Sequence, residues 1–137
     1  MSQKTTILIV DDSESARERV VEVLTTTTIE VIEAMDGLEG LQATRAGGID
    51  CVITDVNMPR MTGIEMIAEI RKEPRFNDLP ILVLSIDGAI HQIAEAKRVG
   101  ASGWIIKPFK TEILRKAVAA LVDGDVAEQG AKLGERR

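Results

Sequence analysis

The segment Ile7-Leu8-Ile9-Val10-Asp11-Asp12-Ser13 runs from four consecutive apolar residues straight into two carboxylates and a hydroxyl. A short, Ile- and Val-rich run with no internal polar alternation reads as a strand buried on both faces. Extended back to Thr6, it is the first of five such runs. The others are Ile29 to Ile32, Cys51 to Thr54, Ile81 to Ser85 and Gly103 to Ile106. All five are expected to be buried on both faces.

Helical patterns fill the gaps. Ser13 or Ser15 can cap a first helix that places Ala16, Val20, Val23 and Leu24 on one face. Asp36 and Glu39 have capping-box spacing ahead of Leu38 and Leu41, and Thr62 and Glu65 have it again ahead of Ile67 and Ile70. Ile93, Ala94 and Ala96 suggest a fourth helix ending at Gly100. Thr111 is expected to cap a fifth, with Leu114, Val118 and Leu121 inward.

Strands alternating with helices imply right-handed βαβ units and a parallel sheet covered on both faces. The expected fold is α/β, a doubly wound five-stranded parallel sheet with five helices. One domain is expected over residues 5–122. Residues 123–137 form a polar, Gly-containing tail without an apolar period.

Composition removes several kinds of chemistry. The 137 residues are 45% hydrophobic, enough for a core, and carry a net charge of -5 with no basic run. Such a chain is poorly suited to nucleic-acid backbones. Its three aromatics, Phe76, Trp104 and Phe109, offer no row on which bases stack. The lone Cys51 forms no internal disulfide, reads as a small buried hydrophobe and fits a reducing compartment. With one histidine, His91, a Cys/His zinc site is excluded. The first ten residues read as neither a signal peptide nor a membrane span, so a soluble, cytoplasmic protein is expected.

The acidic residues are placed with more order. Asp11 and Asp12 follow the first strand and Asp55 follows the third. Parallel sheets bind ligands beyond the carboxyl ends of their strands, where the strand order reverses, and the first and third strands would be neighbours there. Three carboxylates so gathered repel and raise one another's pKa. A hard divalent cation relieves that, and magnesium suits a site with few carboxylates and room for water. Ser85 ends the fourth strand and Lys107 follows the fifth, adding a hydroxyl and an ammonium at the same edge. This set suits phosphoryl transfer to a carboxylate nucleophile.

With Asp55-Val56-Asn57-Met58-Pro59, Ile81-Leu82-Val83-Leu84-Ser85, Gly100-Ala101 and Trp104-Ile105-Ile106-Lys107-Pro108-Phe109 in that order and spacing, the chain resembles the receiver domain of two-component response regulators. The likeness is strongest to CheY-like single-domain members, covers residues 5–122, and implies the flavodoxin-like strand order 2-1-3-4-5. It implies that Asp55 is the phosphoacceptor. Asp12 and Asp55 would ligate Mg2+ directly, with the Asn57 backbone carbonyl as third protein ligand and Asp11 acting through a water. Ser85 and Lys107 would each bind a phosphoryl oxygen. The Lys107–Pro108 bond would be cis. Trp104 falls at the switch aromatic, whose turning inward with Ser85 reshapes the face made by the fourth helix, fifth strand and fifth helix. Asn57 and Asp87 fall at variable positions that tune dephosphorylation.

The resemblance further implies a sensor histidine kinase as donor and an output protein, such as a flagellar motor switch, docking on that face. It also implies a phosphatase as a further partner; nucleic acid and membrane are not expected partners. The chain would catalyse its own phosphorylation and dephosphorylation and not metabolic turnover. Chemotaxis is the expected pathway; a phosphorelay intermediate or phosphate sink is the alternative. Two positions depart from the family pattern. Ile86 stands where a small residue is usual and is expected to crowd Trp104 or Asp55, and Trp104 replaces the usual Tyr or Phe. A dehalogenase-type phosphatase would need Asp-x-Asp-x-Thr after the first strand, where Asp12-Ser13-Glu14-Ser15 stands. A flavin or nucleotide binder would need a Gly- or Ser/Thr-rich loop in place of Asp11-Asp12.

Overall fold

The structure, a computed structural model, describes residues 4–86 and 90–123. Five strands alternate with five α-helices among them: β1 (Thr5–Val10), α1 (Glu14–Leu24), β2 (Ile29–Ala34), α2 (Gly37–Ala46), β3 (Cys51–Asp55), α3 (Gly63–Arg71), β4 (Ile81–Ile86), α4 (Ile90–Val99), β5 (Gly103–Lys107) and α5 (Thr111–Val122). A short 3-10 turn, Pro74–Phe76, follows α3. All pairings are parallel and the sheet order is β2-β1-β3-β4-β5, the flavodoxin-like order expected.

Strand alternation splits the core into two layers. Leu8, Val10, Val52, Ile81, Val83 and Trp104 pack with Met66, Ile67 and Ile70 of α3 and Ala96 of α4. Ile7, Ile9, Ile53, Leu82, Leu84 and Ile105 pack with Val20 and Leu24 of α1 and Leu114, Val118 and Leu121 of α5. Successive side chains point to opposite faces, so both layers are filled only because β1, β3 and β4 carry unbroken apolar runs, Ile7 to Val10, Cys51 to Ile53 and Ile81 to Leu84. Cys51 is buried, and burial pushes its thiol up to about 12, so it packs as a hydrophobe.

Two local expectations are corrected. β2 is not buried on both faces: it is an edge strand, with Glu30, Ile32 and Glu33 exposed and Ala34 alone buried. Its Glu30 and Glu33 point to opposite faces and put charge on the edge. Thr111 is not the cap of α5; Lys110 occupies that place, makes no side-chain cap bond, and Thr111 is the first helical residue. On α4, Ala96 is buried while Ala94 is exposed, so that helix meets the core through a narrow stripe.

The remaining starts follow their signals. Ser13 Oγ accepts from Ala16 N, and Thr62 and Glu65 form a reciprocal capping box. Asp36 accepts from Glu39 N, but Glu39 returns its carboxylate to Met35 N, one residue before the cap. No helix among the described residues is long and apolar enough to cross a membrane. The C-terminal tail from residue 124 lies outside the described residues, as does Asp87.

Candidate functional site

The sheet register sets four strand ends side by side. Val10 pairs with Thr54, Asp55 with Leu84, Ser85 with Ile106 and Ile86 with Lys107. The strand order reverses between β1 and β3, so the ends there open a crevice where ligands bind. Asp11 and Asp12 leave β1 at this edge, and Asp55 closes β3.

Asp11, Asp12 and Asp55 converge: one carboxylate oxygen from each lies within 4.8 Å of the others. Lys107 Nζ stands 3.5 Å from Asp11 Oδ2 and 3.7 Å from Asp55 Oδ2. Three carboxylates thus face one ammonium. The group is held from behind by backbone donors. Ser13 N donates to Asp11 Oδ1 at 2.9 Å, and Val56 N donates to Asp55 Oδ1 at 2.8 Å. Burial raises the Asp55 carboxyl above its ordinary range; Lys107 and the Val56 amide pull it down, and Asp11 and Asp12 push it up again.

Ser85 adds an independent observation at the same edge. It is 1% exposed, and its Oγ finds no hydrogen-bond partner among the described residues. A buried hydroxyl left so costs about 1–3 kcal/mol, and such orphans need an explanation. Hard carboxylate oxygens in a tight group, one amine and one orphaned hydroxyl fit a divalent cation with a phosphoryl-like anion beside it.

Gly63 explains how α3 starts so close to Asp55. A Cβ there would sit 2.1 Å from the Asp55 carbonyl oxygen and 3.0 Å from Thr54 Oγ1. Close approach, not an unusual backbone angle, is the reason for glycine. Gly63→Ala is expected to cost roughly 3 kcal/mol, because backbone must shift to admit the methyl. Urea unfolding checks this; an unmoved midpoint would contradict the contact.

Trp104 is 9% exposed and packs in the α2/α3/α4 layer, with Lys97 Nζ 5.3 Å from its ring centroid. Trp104 pairs with Val83 across the sheet, and Ser85, two residues on, shares that face. Ile86 points the opposite way. It is 61% exposed and lines a cleft with Asp11, Arg19, Lys107 and Phe109 on the α1 side. The crowding of Trp104 expected from Ile86 is therefore not met, because strand alternation separates them. The Lys107–Pro108 bond is cis. Asn57 is exposed, and its Oδ1 accepts from Gln92 Nε2 at 3.0 Å.

Residues 7–119 match the response regulator receiver domain family. The chain belongs to that family. This receiver is 33% identical to the chemotaxis protein CheY of Pseudomonas aeruginosa over 121 residues, covering 85% of this chain and 95% of that one. It is 36% identical to CheY-3 of Vibrio cholerae over 111 residues, 80% and 85% of the two chains. Among solved structures, CheY4 of Vibrio cholerae superposes with a TM-score of 0.80 at 38% identity, covering 87% of this chain and 99% of that one. A response regulator from Chloroflexus aurantiacus gives 0.84 at 31% identity, covering 88% and 99%.

Two supports of the receiver's edge escaped the sequence reading. Arg17, 9% exposed, donates from Nη1 to the Asp11 carbonyl oxygen at 2.7 Å and from Nε to Glu33 at 3.0 Å. Its spacing from Val20 and Leu24 puts a charge on the apolar face of α1, a signal that was present. Asp36, 4% exposed, takes Arg60 Nε at 2.7 Å. The Arg60 guanidinium holds the Asp36 carboxyl below the usual range. Nothing in the spacing of residues 36 and 60 announces that pair.

Proposed function

We propose that this receiver takes a phosphoryl group from phosphohistidine on a sensor kinase onto Asp55. The observation that carries the reading is the meeting of Asp11, Asp12, Asp55 and Lys107 beside the orphaned Ser85 hydroxyl. Asp11, Asp12 and Asp55, with the Asn57 carbonyl, would hold Mg2+. When bound, the cation supplies positive charge toward the oxygens of the transferring group.

The chain's own residues do the rest. An Asp55 carboxylate oxygen attacks phosphorus; an O–P bond forms as the donor's P–N bond breaks, and the imidazole nitrogen keeps the electron pair and takes a proton. Lys107 and Ser85 bind equatorial oxygens. Water later attacks the acyl phosphate, returning the Asp55 carboxylate and inorganic phosphate. Ser85 and Trp104 lie on one face of β4 and β5, so a Ser85 moved by the phosphoryl group alters the packing beside Trp104. The output is a changed α4-β5-α5 face for a target protein. The likeness to chemotaxis proteins favours a flagellar motor switch as that target, with residues 5–122 acting as one receiver domain.

Trp104 is the only tryptophan and reports on this directly. Acetyl phosphate with Mg2+ is expected to shift its fluorescence saturably in the wild type and leave Asp55→Asn unchanged. No phosphoryl uptake by the wild type, read by intact mass, would overturn the reading. Uptake with an unmoved spectrum would overturn the switch role of Trp104.

A further inference from the structure

Arg60 has φ 66, the one left-handed backbone angle among the described non-glycine residues. That conformation disfavours any side chain with a Cβ, and Arg is not a residue that tolerates it well. Something must hold it there. The Arg60 Nε donates to Asp36 Oδ2 at 2.7 Å, and Nη2 lies 3.9 Å from Glu39 Oε2. Asp36 is buried, and its other oxygen caps α2 through Glu39 N. A buried carboxylate is costly to leave without its partner.

The next residue along each chain segment repeats the grip. Gly37 N donates to the Met61 carbonyl at 3.0 Å, and a Cβ on Gly37 would stand 2.4 Å from that oxygen. Thus the first turn of α2 holds residues 60 and 61 at two adjacent points. The other end of the same loop is tied to the acceptor: Gly63 N donates to the Val56 carbonyl, and Val56 N donates to Asp55 Oδ1. Asn57 lies between the two anchors.

We propose that the Asp36–Arg60 pair is a positioning device that holds the loop carrying Asn57 in register with the Asp11, Asp12 and Asp55 carboxylates. It rests on the cation-dependent reading given above. Neither residue belongs to the carboxylate group, and both act through the loop backbone. The strained angle at Arg60 is kept because it aims the guanidinium into the buried carboxylate.

The test is Mn2+ binding, read as free Mn2+ by electron paramagnetic resonance, on the full chain and three variants. Arg60→Gly removes the pair but accepts the backbone angle without strain, so it folds. Asp36→Asn removes the charge and keeps a cap oxygen. Arg60→Lys keeps a cation. Arg60→Gly and Asp36→Asn are expected to weaken Mn2+ binding about tenfold, the scale seen when a residue supporting metal ligands is lost. Arg60→Lys recovers part of it, with far-UV circular dichroism unchanged throughout. Raising Mg2+ is expected to restore acetyl phosphate labelling of Arg60→Gly, and to restore none in Asp55→Asn. Wild-type Mn2+ affinity in Arg60→Gly would overturn the positioning role while leaving the cation site standing. A wild type that binds no Mn2+ would overturn both.

Discussion

Asp55→Asn is expected to lose all phosphoryl uptake from acetyl phosphate, a fall beyond detection by intact mass. Asn is nearly isosteric and can still accept from Val56 N, so the fold of β3 survives. What disappears is the anionic nucleophile, and no neighbour replaces it. Asp11 has one oxygen engaged by Ser13 N and is 1% exposed, and Asp12 is on the flanking loop. The same variant carries a stability signature. Burial holds the Asp55 carboxyl above its ordinary range, with Asp11 and Asp12 adding to it. A raised carboxyl binds its proton more tightly folded than unfolded, so its ionisation opposes folding as pH rises through that range. In metal-free buffer, Asp55→Asn should therefore be more stable than the wild type at neutral pH. The gap should close on acidification below the carboxylate range. Chemical unfolding at several pH values measures it; a variant less stable at neutral pH would contradict the electrostatic account.

Lys107→Ala is expected to slow labelling about a hundredfold, the scale for losing one preorganised charge from a transferring group. Lys107 Nζ lies between Asp11 and Asp55, so it does two things at once. It is placed to meet a phosphoryl oxygen, and it lowers the Asp55 carboxyl against the pull of burial. Removing it lets Asp55 rise further, so less of it is ionised at any acidic pH. The acid limb of the labelling profile should move to higher pH in the variant, at one fixed Mg2+ concentration. A variant slowed at all pH values with no such move would leave only the first role. A variant with wild-type rate would remove Lys107 from the site.

Much of this was legible in the chain. Five short apolar runs each ended in a turn, and four of those ends carried Asp11 and Asp12, Asp55, Ser85 and Lys107. In a parallel sheet all strands end on one side, so the order of elements already brought these residues to one edge. β2 was misread although its Glu30 and Glu33 spell an edge. For Gly63 at the start of α3, only the 2.1 Å approach to the Asp55 carbonyl gives the reason for glycine. The Arg17–Glu33, Asp36–Arg60 and Asn57–Gln92 pairings are not legible for a common reason, although Arg17 itself stands out as a charge on the apolar face of α1. Each joins elements that lie next to each other only once the helices are docked, across 16, 24 and 35 positions of chain. No local pattern encodes such meetings, and an arginine at positive φ is the opposite of what turn preferences suggest.

The direct measurement is the location of the phosphoryl group. The full chain is treated with acetyl phosphate in Mg2+ or in excess chelator, then digested and read by tandem mass spectrometry. One group on Asp55, present with Mg2+ and absent with chelator, is the predicted result. A group on any other residue, or equal labelling of Asp55 in chelator, would contradict a cation-dependent acceptor at the end of β3.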